Sequence, residues 1–205
     1  MQETIKSNKI FKTSTLVKVG ILGAIGYILM FISAPLPMLF PEFLKIDISD
    51  LTALLGGIAL GPIAGVTISF LKNLLQFITG FSTTGGVGEL ANFLIGGSFV
   101  WVVSFIYSKK NNIKGVITGL ILGTIVMTTV GCIANYFIIL PFYETMGWPI
   151  EAVVAMGAAI NPSIVDKLTF VIWAIAPFNL LKAMLISLLT LPMYKRTEKV
   201  LNKVK

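Results

Sequence analysis

Two apolar stretches, "CIANYFIILP" (Cys132–Pro141) and "WAIAPFNLLKAMLISLL" (Trp173–Leu189), carry Asn135, Asn179 and Lys182 in their interiors. A carboxamide presents a donor beside an acceptor, which matches the imide or amide edge of a flat heterocycle, and an ammonium donates to a carbonyl or a hydroxyl. A lysine near the middle of a membrane span costs about 2.5–3.5 kcal/mol on insertion scales, so Lys182 needs surroundings that compensate it. Asn179 and Lys182 are i, i+3 neighbours on one helix face, as are Glu89 and Asn92. Lys72 adds an ammonium within another apolar run. This set suits an uncharged ligand with a polar edge. A phosphate fits poorly, because Arg196, the one arginine, stands at the far end of the last apolar segment and leaves no bidentate clamp.

Structural roles compete for the same side chains. Lys72 and Glu89 can form an ion pair between helices, and Asn92 can bridge helices by hydrogen bonding. Glu89 is the one acid expected at the depth of Lys182, so the lysine's uncompensated charge expects a ligand acceptor. Catalysis finds little support. The chain has no histidine, which removes Ser–His and Cys–His nucleophiles and the commonest metal ligand. Cys132 is the single cysteine, so neither a disulfide framework nor a thiolate cluster is expected. Ser69 and Lys72 fit S-x-x-K, but the S-D-N and K-T-G runs that accompany that motif in β-lactamases are missing. No G-x-x-x-x-G-K-[ST] run offers a nucleotide site. The reading is a protein that is not an enzyme, with no metal and no cofactor.

The elements that must position these groups are membrane helices. Of 205 residues, 56% are hydrophobic and 12% charged, and the mean hydropathy is +0.90. A water-soluble domain of this length cannot hide so much apolar surface. Continuous apolar runs argue against a β-barrel, whose strands alternate over about ten residues. The expectation is an all-α polytopic membrane protein: one substrate-binding domain over 1–205, with six helices near 14–34, 50–61, 62–79, 88–108, 115–141 and 163–194. Gly61-Pro62 divides what would otherwise be one long tilted helix. The short second helix, about 16 Å long, is acceptable if buried against its neighbours. Asp50 is expected to cap that helix, and Asn161-Pro162 to open the region entering the last. Pro141 is expected to close the fifth helix and Pro177 to kink the sixth beside Asn179. The outer-loop segment "EAVVAMGAAI" (Glu151–Ile160) reads as a short interfacial helix or a lid.

Charge sets the orientation. Lys6, Lys9, Lys12 and Lys18, then Lys109, Lys110 and Lys114, then Lys195, Arg196, Lys199, Lys203 and Lys205 fall on one side of a six-helix arrangement. Glu42, Asp47, Asp50, Glu144, Glu151 and Asp166 fall on the other. The positive-inside tendency then puts both termini in the cytoplasm of a plasma-membrane protein. The net charge of +7 is a topological signal in this reading, with the lipid bilayer as partner and no nucleic acid. The first apolar segment lacks a clear cleavage site and reads as a retained helix. Counted inward at 1.5 Å per residue, Lys72 lies about 12 Å, Asn135 about 9 Å and Lys182 about 10 Å below the outer boundary. Polar groups from several helices at one depth point to a shared, outward-facing chamber.

The stretches "LKIDISDLTALLGGIALGPIAGV" (Leu44–Val66), "LKNLL" (Leu71–Leu75), "GELANFLIG" (Gly88–Gly96), "NYFIILPFY" (Asn135–Tyr143) and "FNLLKA" (Phe178–Ala183) resemble the riboflavin-specific S components of energy-coupling factor (ECF) transporters. The likeness extends over nearly the whole chain. It implies a six-helix protein that binds riboflavin from outside, together with a transmembrane coupling subunit and two ATP-hydrolysing subunits. It further implies flavin contacts from Asn135, Asn179 and Lys182, and closure by the first outer loop around Leu44 and Asp47. Lys72, Glu89 and Asn92 complete the candidate substrate-binding set. The family's alanine-x-x-x-alanine docking pattern has its nearest counterpart in Gly20-x-x-x-Ala24, where small residues let helices approach. One alternative is an S component for another heterocyclic vitamin such as thiamine, whose cationic ring sits poorly with two lysines and no deep acid. Another is a stand-alone secondary carrier, which wants deep carboxylates where only Glu89 is expected.

Overall fold

The structure is a computed structural model that describes residues 12–82 and 84–204, with side chains as far as 196. Lys6 and Lys9, and the side chains of Lys199, Lys203 and Lys205, on which part of the charge argument rests, lie outside the described residues. Among the described residues, four helical stretches are long and apolar enough to cross a membrane: Thr13–Met30, Val87–Lys109, Ile113–Thr145 and Lys167–Arg196. Two shorter apolar helices, Asp50–Leu60 and Pro62–Ile78, lie between the first and second of these.

The first helix, α1 (Thr13–Met30), stops short of the expected 34. The chain beyond it forms an antiparallel hairpin of β1 (Ser33–Pro35) and β2 (Lys45–Asp47), with Ser33 opposite Asp47 and Pro35 opposite Lys45. Strands of three residues are too short to leave an alternating pattern, so no periodicity announces them. Next come α2 (Asp50–Leu60) and α3 (Pro62–Ile78), divided as expected at Gly61, whose φ of +104° favours glycine. The two helices fold back on each other across a glycine pair. A Cβ on Gly65 would stand 2.7 Å from the Gly57 Cα. Asp50 opens α2 but makes no cap, and its carboxylate is used elsewhere.

Helix α4 spans Val87–Lys109, and α5 (Ile113–Ala134) begins at an Asn112 cap whose side chain accepts from the Gly115 amide at 2.9 Å. Pro141 does not close the fifth helix. A π-helical turn, Asn135–Ile139, leads directly into α6 (Leu140–Thr145). The same device recurs later. Asp166 caps α8 (Lys167–Phe170) through Thr169, a π turn covers Val171–Ile175, and α9 runs over Ala176–Val204. Thus Asp166, and not Asn161-Pro162, starts the last helix; the Asn161 side chain accepts from the Ser163 amide instead. Hydroxyl and amide donation from Thr169 holds the Asp166 carboxyl below its usual range. Each π turn ends two residues before a proline, so its wider hydrogen bonding absorbs the missing N–H that would otherwise kink or break the helix. The outer segment does contain a short helix, α7 (Ile150–Ala158).

Among the described residues, two larger apolar clusters frame the interior, with a smaller one of Val87, Ala134, Ile139 and Tyr143 beside them. One, around Leu54, Ile68, Phe99, Val103 and Ile186, packs α2, α3, α4 and α9 together. The other, around Leu140, Ile164, Phe170 and Ile175, packs the outer ends of the last helices. The hairpin loop docks on the second cluster through Phe43, which stacks on Phe170, and on the start of α9 through Phe40, which meets Phe178 edge-on.

Candidate ligand-binding site

A cavity opens between these clusters, walled by the hairpin, α4, the π turn of the fifth helix and the start of α9. It holds roughly 930 Å³ of empty space including its open mouth. Seven of the eight sequence-predicted substrate-binding residues line it: Leu44, Asp47, Glu89, Asn92, Asn135, Asn179 and Lys182. Phe43, Tyr143, Phe178 and Ile175 supply apolar and aromatic wall. Lys72 lies one layer behind, wholly buried and off the cavity surface.

The two carboxamides reach the cavity from segments reshaped by the π turns. Asn135 is the first residue of one turn, and Asn179 lies one helical turn beyond the other. Each amide nitrogen donates back to its own helix, Asn135 to the Gly131 carbonyl at 2.8 Å and Asn179 to the Ile175 carbonyl at 2.9 Å. That leaves each with a side-chain oxygen and a second N–H for a ligand. A Cβ on Gly131 would stand 2.6 Å from the Asn179 nitrogen, so this glycine makes the room in which Asn179 sits.

Lys182 has more partners than its sequence suggested. Its Nζ donates to Asn92 Oδ1 at 2.7 Å and to Asp47 Oδ2 at 3.0 Å, and it stands 3.3 Å from Asp50 Oδ2. Asp50 Oδ1 in turn pairs with Lys72 Nζ at 2.5 Å. Lys72 also donates to the Ser49 hydroxyl, which donates to Asp47 Oδ1. The result is a closed ring, Lys182–Asp47–Ser49–Lys72–Asp50, with two positive and two negative charges and no net charge. Burial pushes the Asp47 carboxyl upward, but the Lys182 and Lys72 ammoniums and the Ser49 hydroxyl outweigh it and hold the group well below the usual carboxylate range.

Several expectations are corrected here. Lys72 pairs with Asp50, not with Glu89; Glu89 accepts from Ser82 at 2.8 Å. Lys182 is not left with Glu89 as its one acid, because Asp47 and Asp50 both face it. A deep carboxylate exists, since Asp50 is wholly buried. Asn92 bridges helices as anticipated, donating to Asn73 Oδ1 at 3.0 Å while accepting from Lys182, and it also faces the cavity. Sequence reasoning missed Asp50 and Ser49. The available signal was charge arithmetic: two lysines inside a bundle demand two acids, and "DISD" (Asp47–Asp50) offers both at the start of a largely apolar helix. Ser69 and Lys72 form no dyad, as the Lys72 ammonium is spent on Asp50 and Ser49. On α1, Gly20 and Ala24 are exposed, and a Cβ on Gly20 would meet nothing within 4 Å, whereas Gly23 and Gly26 are buried against α3 and α2.

A polar-edged chamber within a bundle of apolar helices is the architecture of a membrane solute-binding protein, and sequence comparison agrees. The family described as "ECF transporter, substrate-specific component" matches residues 14–194, and the chain belongs to that family. It is 38% identical over 191 residues to "Riboflavin transporter RibU" of Staphylococcus aureus (strain TCH60), covering 92% of this chain and 93% of that protein. It is 37% identical over 177 residues to "Riboflavin transporter FmnP" of Bacillus subtilis (strain 168), covering 86% and 87%. A solved structure, "Structure and mechanism of the S component of a bacterial ECF transporter", superposes with a TM-score of 0.72 at 36% identity, covering 92% of this chain and 97% of that one. The family is one of transporter substrate-binding components, not of enzymes.

Proposed function

We propose that this protein captures riboflavin from outside the cell and presents it to ECF partner subunits for ATP-driven uptake. The observation that carries the reading is the convergence of Asn135, Asn179 and Lys182 on one aromatic-walled cavity. Two carboxamides and an ammonium can meet the carbonyl and imide edge of an isoalloxazine ring, and the apolar wall can sandwich its faces. Leu44 and Asp47 close the site from the hairpin, Asn92 and Glu89 complete its α4 wall, and Lys72 supports it from behind. In this reading the six apolar helices form one membrane domain with both termini cytoplasmic. Gly20 and Ala24 meet the transmembrane coupling subunit, and two ATPase subunits supply the energy.

The charge balance of the ring favours riboflavin over thiamine. Asp47 and Asp50 are each matched by a lysine, so neither is left over to hold a cationic ring; Glu89, the further acid on the wall, accepts from Ser82. The reading is tested by purifying the protein and titrating it with riboflavin. Yellow protein with flavin absorption, and weakened binding in Lys182→Met and Asn135→Leu at unchanged helix content, are expected. Wild-type flavin affinity in both variants removes these residues from the site.

A further inference from the structure

Two of the four charged members of the ring do not reach the chamber at all. Asp50 and Lys72 are wholly buried and absent from the cavity wall. Burying two charges costs several kcal/mol per ion before pairing, and apolar residues of similar volume often hold neighbouring helices as well or better. Joining α2 to α3 therefore does not explain them. What an apolar pair cannot do is aim a carboxylate. Asp50 receives Lys72 on Oδ1 and turns Oδ2 to within 3.3 Å of Lys182 Nζ. Lys72 also steers the other acid of Lys182, because it donates to Ser49 and Ser49 holds Asp47.

Space is cut for both residues by glycines of two further helices. A Cβ on Gly96 of α4 would stand 2.8 Å from Asp50 Oδ1, and one on Gly26 of α1 would stand 3.3 Å from Lys72 Cδ. The pair is thus enclosed by four helices, and it reaches beyond itself to the Lys182 ammonium and the Ser49 hydroxyl.

We propose that Asp50 and Lys72 are positioning residues of the ligand site, fixing the Lys182 ammonium and closing a ring without net charge, so that the chamber selects an uncharged polar edge. The inference rests on the riboflavin reading above. Asp50→Asn leaves the ring with one surplus positive charge, Lys72→Met leaves one surplus negative charge, and the double variant is neutral again.

The test uses the full chain purified in detergent, with riboflavin affinity, melting temperature and the midpoint potential of the bound flavin measured for wild type, both single variants and the double. Each single variant is expected to weaken binding roughly tenfold or more, the scale on which outer-shell partners act on metal sites. The double is expected to bind tighter than either single, because close charges couple non-additively. The bound-flavin potential is expected to rise in Asp50→Asn, fall in Lys72→Met and return in the double, since charge near the ring tunes its reduction. A role confined to folding lowers the melting temperature without opposite potential shifts and without recovery in the double; that result overturns the proposal, as does wild-type affinity in the single variants. Should the single variants fail to fold, a wild-type potential in the double supports the neutral ring and a displaced one overturns it. A wild type that binds no riboflavin overturns the functional reading and this inference with it. Binding by wild type without these effects overturns the inference alone.

Discussion

Asp47 on β2 and Lys182 on α9 are separated by 135 positions in sequence, and their side chains meet at 3.0 Å. This contact ties the hairpin, the least helical part of the molecule, to the helix that carries most of the polar cavity wall. Apart from the Ser49 hydrogen bonds to Asp47, the hairpin is attached through aromatic rings: Phe40 on Phe178, and Phe43 on Phe170 and Tyr143. The loop over the chamber is therefore held to the later helices by one directional charge contact among non-directional ones.

Removing that contact should loosen the hairpin before the bundle. In Asp47→Ala, Lys182 loses its nearest carboxylate but keeps Asp50 and Asn92, so the loss should stay below the roughly 3–5 kcal/mol of a buried charge left unpaired. Amide exchange over residues 33–47 is expected to accelerate while α4 and α5 stay protected, and riboflavin is expected to leave faster. The acid response should change as well. The Asp47 carboxyl is held below its usual value, so its contribution is complete above the unfolded value of about 3.9 and is lost as pH falls below it. Wild type should lose melting temperature on acidification through that window, and Asp47→Ala should lack this part of the loss. Equal exchange in the two proteins would show that the aromatic contacts alone hold the loop.

The carboxamides should behave differently, because their own helix bonds leave the fold little dependent on them. Asn135→Leu and Asn179→Leu each forfeit a ligand hydrogen bond worth about 1–3 kcal/mol in a buried site. Riboflavin affinity is expected to fall by about tenfold to a hundredfold, with circular dichroism and melting temperature near wild type. Loss of helix content in parallel with affinity would assign these residues to the fold.

How far the sequence revealed this arrangement depended on what each residue must answer to. Asn135, Asn179 and Lys182 stood out because lipid penalises polar groups and few physical roles excuse them. The break at Gly61-Pro62 was equally readable, as backbone chemistry there is local. The hairpin was not, since three-residue strands carry no period and β1–β2 pairing depends on where α1 stops. Asp50 was misread because an acid at a helix start satisfies a local capping rule, while its actual partners, Lys72 and Lys182, are settled only by tertiary packing. The π turns escaped for a similar reason. Pro141 and Pro177 signal an interruption, but neighbouring helices decide whether it becomes an end, a kink or a widened turn.

Close packing behind the site gives a steric prediction. The Cβ of Gly131→Ala would fall 2.6 Å from the Asn179 side-chain nitrogen and 3.0 Å from its Cγ. Asn179 must then swing toward the cavity or α5 must shift from α9. Either movement should weaken riboflavin binding by about tenfold, a cost of about 1–3 kcal/mol for overpacking. Adding Asn179→Ala to this variant removes the clash, so it should recover stability without recovering affinity. Recovery of both would mean that Asn179 gives nothing to the ligand.

The exposed face of α1 allows capture to be separated from assembly. A Cβ at Gly20 meets nothing within 4 Å and the position is exposed, whereas one at Gly23 would come within 3.1 Å of Leu71 Cβ. Gly20→Phe should therefore leave folding and riboflavin affinity unchanged, while a bulky ring on a small-residue face keeps a partner helix from approaching. Gly23→Phe should instead damage the bundle and lower the melting temperature, because overpacking a buried helix contact costs about 1–3 kcal/mol or more. Co-purification with the coupling subunit is expected to fail for Gly20→Phe even when its flavin content matches wild type. If Gly20→Phe still assembles and supports uptake, the coupling subunit must dock on another face, and the match between Gly20-x-x-x-Ala24 and the family's docking pattern is coincidental.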